Sequence, residues 1–166
     1  MKRDIIFTTI FTLAYIVQFI VMFLYYNTLG LEILTYIGWI IWIFSVYFGF
    51  ISFWVFKKKG GVKKGEIYHK TQILVDSGPY ALIRHPQYLG GILFTISITL
   101  WTQLWVSLLL TIIIIILTYH WTYREEKNLI QQFGKSYIKY QKRVTRLNPI
   151  VGLVKYFIRK NEKQTN

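Results

Sequence analysis

Three short groups of residues in this sequence carry side chains able to do chemistry. They are Gly78-Pro79-Tyr80, then Arg84-His85-Pro86-Gln87-Tyr88, then the adjacent acids Glu125 and Glu126, in a chain with only seven acidic residues. Pro86 suits the first turn of a helix and pushes His85 before it toward extended geometry. The free amides at such a helix start can receive a carboxylate or another anion. A carboxylate at Glu125 or Glu126 can hold a ligand hydroxyl, an ammonium or a sulfonium-bearing molecule. The same residues also have readings without chemistry. His85 can simply cap the helix, Arg84 can snorkel to phosphate headgroups, and the acids can sit at a helix start paired with neighbouring bases. Adjacent helical residues do not share a face, so at most one of the two carboxylates is expected to point inward.

Composition narrows the chemistry. The chain has no cysteine, which excludes disulfides, thiolate catalysis, Cys-ligated zinc and iron-sulfur clusters. With only His69, His85 and His120, no metal site is expected. Of the 166 residues, 54% are hydrophobic and only 16% charged, yet the net charge is +13. A soluble domain carries about a quarter charged residues, so the chain is built for two environments, one of them lipid.

The elements that position these groups follow from the charges. Residues 5–26, 33–56 and 87–123 contain no Asp, Glu, Lys or Arg, and each run exceeds the roughly 18 apolar residues that mark a membrane span. The first run is too long for a signal peptide and lacks a small-residue cleavage site, so it reads as a retained helix. The third run, as one helix, would extend roughly 55 Å against a hydrocarbon core of about 30 Å. It is expected to fold back at Trp101-Thr102-Gln103-Leu104-Trp105, as a helical hairpin of two short helices. The expectation is an all-α, polytopic membrane protein, one membrane domain over 1–166, with transmembrane helices at about 5–26, 33–56, 87–102 and 104–121. Of the 20 Lys and Arg, two precede the first span, seven lie between the second and third, and eleven follow the fourth. The connections 27–32 and 101–105 carry none. The positive-inside rule then puts both termini in the cytosol. Topology and anionic headgroups account for the basic charge, and no nucleic-acid partner is expected.

Two cytosolic segments remain, 72–88 and 124–149. Before the first, residues 57–65 are rich in Lys and Gly and read as a mobile loop touching headgroups; the spacing of Gly60, Gly61 and Gly65 has neither the strand nor the Lys-Ser/Thr of a nucleotide loop. In the second, Leu129, Phe133, Tyr137, Tyr140 and Val144 recur at spacings of 4, 4, 3 and 4 opposite Lys127, Gln131, Lys135, Lys139 and Lys142. That pattern predicts a cytosolic amphipathic helix beginning near Tyr119, loosened midway by Gly134. Residues 150–158 are apolar but too few to span, and are expected along the interface before an unstructured polar tail. Ser45 and Gly49 form one small-xxx-small pair; oligomeric state is not readable.

Taken together, these segments resemble the integral-membrane methyltransferases related to isoprenylcysteine carboxyl methyltransferase and phospholipid N-methyltransferase. The resemblance rests on Leu74-Val75-Asp76-Ser77-Gly78-Pro79-Tyr80, on Arg84-His85-Pro86-Gln87-Tyr88-Leu89-Gly90, and on Glu125-Glu126-Lys127-Asn128-Leu129 with Phe133-Gly134-Lys135-Ser136-Tyr137 and Tyr140. Val144, Arg146 and Pro149 extend it. It implies an enzyme that transfers a methyl group from S-adenosylmethionine to a lipophilic or prenylated acceptor at the membrane. The cofactor would be held by Gln72, Ile73, Leu74, Val75, Gly78, Tyr80, His85, Pro86, Gln87, Tyr88 and Glu125. Arg124 and Glu126 would face the acceptor. Backbone amides at the helix start suit the methionine carboxylate, and aromatic faces suit adenine or the sulfonium. No catalytic residue is assigned, since an acceptor that is already a carboxylate needs no base; for an amine, Glu126 or His120 is the candidate. The isoprenylcysteine enzymes carry an arginine one turn before the acid pair, where this chain has Trp121. Two other functions fit parts of the pattern: an NADPH-dependent sterol-type reductase, whose His-Pro-x-Tyr region is similar, and a non-catalytic lipid-binding membrane protein.

Overall fold

The structure, a computed structural model, describes residues 2–61 and 72–165, with side chains over 5–61 and 72–162. The described residues form six α-helices: α1 (Lys2–Leu24), α2 (Glu32–Lys59), α3 (Pro86–Thr102), α4 (Trp105–Phe133), α5 (Lys135–Arg143) and α6 (Pro149–Thr165). A 3-10 turn covers Gly78–Ala81, and no strand occurs among the described residues. Three stretches are long and apolar enough to cross a membrane: Ile5–Leu24, Glu32–Lys59 and Trp105–Phe133. Their outward side chains stand in the open, Phe23 at 79% and Phe50 at 75% exposure, which suits lipid and not water. The all-α membrane protein expected from the charges is therefore observed. α3, with 17 residues, is shorter than the three.

The chain divides into two compact units. The first comprises Met1–Tyr47 and Gly90–Trp121. Apolar contact gives helices no driving force inside lipid, so polar contacts and close approach hold them together. The buried Gln18 amide of α1 donates to Thr95 O (3.1 Å) and to Thr111 Oγ1 (2.8 Å). Thr99 Oγ1 lies 2.8 Å from Thr111 Oγ1, and Thr111 donates to Thr95 O at 3.1 Å, tying α3 to α4. Between those helices the chain breaks at Gln103-Leu104, inside the stretch expected to turn. Gln103 has φ +55° and is held there by its own amide, which donates to Asn27 Oδ1 (2.7 Å) and Leu31 O (2.9 Å) and accepts from Leu31 N (3.2 Å). A Cβ at Gly38 would meet the Trp101 ring at 2.8 Å, so glycine there admits the indole. The Ser45 hydroxyl donates to Gly90 O at 2.8 Å, an intrachain use of that small residue.

The second unit comprises Phe48–Leu89 and Thr122–Asn166. Here the structure corrects several expectations. α2 continues through Lys59, so Lys57, Lys58 and Lys59 form its last turn, where cations favour the helix dipole, and are not loop. Lys63, Lys64 and Gly65 lie outside the described residues. No helix starts near Tyr119: α4 runs unbroken from Trp105 past the acid pair to Phe133. It ends at Gly134, whose φ of +55° and ψ of −131° only glycine adopts readily, and α5 follows. The periodic apolar face therefore exists but is split over two helices, with Tyr137, Tyr140 and Val144 clustered against Leu129 and Phe133. α6 carries the helix through the polar tail to Thr165, and its N-terminus is capped, Val151 N donating to Asn148 Oδ1 at 3.0 Å.

Candidate functional site

Residues 72–88 are held within the second unit by a few fixed contacts. Val75 and Tyr80 bury with Val55 of α2, flanked by Ile51 and Phe56, whose ring meets Tyr80 edge-on at 4.6 Å. Gly78 turns the chain with φ +64°. Tyr140 of α5 donates its hydroxyl to Tyr80 O at 2.7 Å. Further on, Ile83 bridges Thr145 in parallel, Arg84 N donates to Thr145 O (2.8 Å) and His85 N to Arg146 O (3.2 Å). The extended geometry expected before Pro86 is thus used to pair two segments about sixty residues apart. Pro86 opens α3, as its fixed φ suits.

These contacts bring the arginine-histidine pair onto the acids. Glu126, past Tyr123 where the charge-free stretch of α4 ends, has only 3% of its side chain exposed. Its Oε1 accepts from Arg84 Nε (2.8 Å) and His85 Nε2 (3.2 Å); its Oε2 accepts from Arg146 Nη2 (2.6 Å) and Gln141 Nε2 (3.2 Å). Burial alone pushes this carboxyl up, but the hydrogen bonds from His85, Arg146 and Arg84 outweigh it and hold the group well below the usual carboxylate range. Arg84 also donates to Gln141 O (2.9 Å) and Val144 O, the carbonyls left open at the end of α5. It is a buried clamp with 9% of its side chain exposed, and not a headgroup anchor.

Glu125 behaves differently. Its side chain is about a third exposed, and its Oε2 lies 3.9 Å from His85 Nδ1. That oxygen is buried with no hydrogen-bond partner. Because a carboxylate only accepts, His85 Nε2 carries the proton toward Glu126 and Nδ1 faces Glu125. The imidazole therefore sits between both acids. The expectation that at most one carboxylate points inward holds for full burial but misses the buried Glu125 oxygen.

A cavity of about 50 Å³ opens beside Glu125. Of the residues expected around a ligand, Leu74, Val75, Tyr80, His85, Gln87 and Glu125 line it. Gln72, Ile73 and Gly78 are exposed away from it, Pro86 is buried as the start of α3, and Tyr88 meets the His85 ring edge-on at 5.6 Å. Glu126 lies behind the arginine-histidine pair, and neither it nor Arg124 lines the cavity. His120 stacks on Phe7 (4.8 Å) in the first unit. The lining also includes Phe56, Arg84, Leu129, Phe133, Tyr137 and Tyr140, which were not singled out as ligand contacts. The 4, 4, 3, 4 spacing is the signal that finds four of them; nothing in the sequence points to Phe56. Burial pushes the Tyr137 and Tyr140 phenols well up, so both stay neutral.

The chain has counterparts among known proteins. The profile of the phospholipid methyltransferase family matches residues 33–136, more than half of the chain. Human protein-S-isoprenylcysteine O-methyltransferase is 36% identical over 90 residues, covering 51% of this chain and 30% of that protein. The chain thus spans less than a third of the length of this curated relative. No solved structure matches it. The chain belongs to the phospholipid methyltransferase family.

Proposed function

We propose that this protein is a membrane methyltransferase that uses S-adenosylmethionine to methylate a lipophilic acceptor, a phospholipid amine or a carboxylate of isoprenylcysteine type. The observation that carries the reading is the buried, unpartnered Glu125 Oε2 beside His85 in an aromatic-lined cavity. An orphan acceptor of that kind suits the amine or hydroxyl of a ligand. Tyr80, Phe133 and Tyr137 offer flat faces for a purine or a cationic sulfur. The cavity itself is small, and a nucleoside-sized ligand needs roughly 300 Å³ or more, so binding requires these rings to part.

The cofactor, when bound, supplies an electrophilic methyl group. Glu125 would hold its donor group, the amides that open α3 its carboxylate, and the rings would exclude water. Glu126 is held well below the usual carboxylate range and has every lone pair engaged by a donor, so it takes up a proton poorly: it orients the histidine and is no base for an amine. His120 lines no part of the cavity. Both facts favour an acceptor that arrives already deprotonated, such as a carboxylate.

The finer topology belongs to the same proposal: one membrane domain with four spans, α3 and α4 as a hairpin, both termini cytosolic, and segments 72–88 and 124–149 facing the cytosol. The one-sided distribution of all 20 bases supports it, with α3 accommodated by local thinning. The test is thermal stabilisation of the purified protein in detergent by S-adenosylhomocysteine and, separately, by NADPH. Stabilisation by the first alone is expected. Stabilisation by NADPH alone overturns the methyltransferase reading in favour of a reductase, and by neither favours a non-catalytic lipid binder.

A further inference from the structure

α6 wears its apolar side chains on the outside. At 3.6 residues per turn, Leu153, Phe157, Ile150, Val154, Ile158 and Val151 fill one arc about 160° wide. All six are exposed, from 43% at Val151 to 76% at Ile150. Lys155 and Lys160 border the arc on its two sides. The opposite face grips protein. A Cβ on Gly152 would collide with Leu82 O and meet Thr145 Oγ1 at 2.9 Å, so the helix backbone is pressed onto that carbonyl. Two turns further, Arg159 donates to Ala81 O at 2.9 Å and to Arg143 O.

A helix on a water-facing surface turns its apolar side inward. Here the polar and small residues face the protein and the apolar arc faces out, rimmed by lysines whose stems can lie along an apolar surface while their charges stay in water. Residues 149–161 hold three bases and no acid. An apolar arc, flanking cations and a length too short to span describe a helix lying in the boundary between headgroups and acyl chains, with preference for an anionic leaflet. The residues it holds, Ala81 and Leu82, sit between Tyr80 and Arg84-His85, which line the cavity.

We propose that α6 is a lipid-docked strut: its apolar arc sits in an anionic leaflet, and its Gly152 and Arg159 face carries that contact to residues 80–85, so that leaflet charge sets how tightly the cavity holds its ligand. The docking half stands alone; the coupling half rests on the methyltransferase reading. Whatever binds α6 in this arrangement also favours the arrangement of the loop, by linkage. Each lysine near an anionic surface is worth roughly fivefold in the docking equilibrium.

The chain's lack of cysteine allows a direct test on the full-length protein in vesicles of phosphatidylcholine with phosphatidylglycerol. Nitroxides are attached at V154C and F157C, with S136C on the exposed side of α5 as the aqueous reference. Collisions with oxygen should exceed those with a nickel chelate at 154 and 157, and the reverse should hold at 136. Nickel access at 154 and 157 equal to that at 136 overturns the docking, and shielding from both reagents overturns it in favour of a protein partner such as a second copy. The coupling is read as affinity for S-adenosylhomocysteine in nanodiscs with and without phosphatidylglycerol. The anionic lipid should tighten binding at least threefold, and Lys155→Glu with Lys160→Glu should remove the gain. Equal affinity in the two lipids overturns the coupling. No binding in either overturns the coupling together with the methyltransferase reading, while the nitroxides still decide the docking.

Discussion

Glu125 and Glu126 are neighbours of identical chemistry, and exchanging each for glutamine should do opposite things. Glu126 accepts from two guanidiniums whose side chains are only 9% and 20% exposed. Removing one partner of a buried ion pair costs about 3–5 kcal/mol, because the other charge is left uncompensated. Some of that is recovered here. Arg84 keeps Gln141 O and Val144 O, and Arg146 keeps the Tyr123 ring at 5.6 Å, so Glu126→Ala belongs near the lower bound, about 3 kcal/mol. Glu126→Gln retains one acceptor oxygen but turns amide hydrogens toward a guanidinium, for a loss of about 2–3 kcal/mol. At roughly 2–4 °C per kcal/mol for a chain of this size, the alanine variant should melt about 6–12 °C lower. Glu125 has no hydrogen bond on its buried oxygen, so Glu125→Gln should change stability by less than about 0.5 kcal/mol. It should instead weaken S-adenosylhomocysteine binding about tenfold or more, the worth of one charge-assisted hydrogen bond. Thermal denaturation in detergent, with and without that ligand, reads both quantities. Equal losses of stability in the two variants, or unchanged ligand affinity in Glu125→Gln, would refute the assignment of one acid to the scaffold and the other to the ligand.

Two further outcomes follow from the same geometry. Because Glu126 is held below its ordinary pKa of about 4.3, the unfolded chain binds more protons than the folded one in the interval below that value; stability is fully present above it and falls as pH drops through it. Melting temperature in detergent should therefore decline below about pH 4, and Glu126→Gln should flatten that decline; an equal slope in the variant would mean that other carboxylates carry it. At Gly134 a Cβ meets nothing within 4 Å, so the cost of Gly134→Ala is backbone strain alone, about 1–3 kcal/mol from the φ of +55° and ψ of −131°. An unchanged melting temperature would show that the break between α4 and α5 needs no glycine.

What the sequence made legible was chiefly what local physics decides. The charge-free runs located the long apolar helices, the polar residues between Trp101 and Trp105 located the break at Gln103, and Pro86 located the start of α3. Leu74, Val75, Tyr80, His85, Gln87 and Glu125, which the motifs single out, line one cavity. What stayed hidden depended on partners far along the chain. A headgroup anchor stays open as a reading of Arg84 because nothing local reveals a carboxylate 42 positions away. Glu126 reads as an acceptor-facing acid because its burial depends on α4 continuing unbroken past Tyr119, where the pattern suggests a new helix. The tail after Ile158 looked unstructured by composition, yet its helix is held by Asn148 at one end and by Arg159 against carbonyls of other segments.

The uninterrupted run of α4 from Trp105 to Phe133 has an evolutionary corollary. A loop between the apolar half and the acid pair would let the two halves change length independently. A continuous helix does not: each residue inserted or deleted between Trp105 and Tyr123 rotates Glu125 and Glu126 by about 100° against the residues of α4 that precede the change, and slides them about 1.5 Å along its axis. Length changes in that stretch are thus confined to steps near three or four residues and their multiples, or to compensated pairs. Homologues that thicken or thin this region should do so in whole turns.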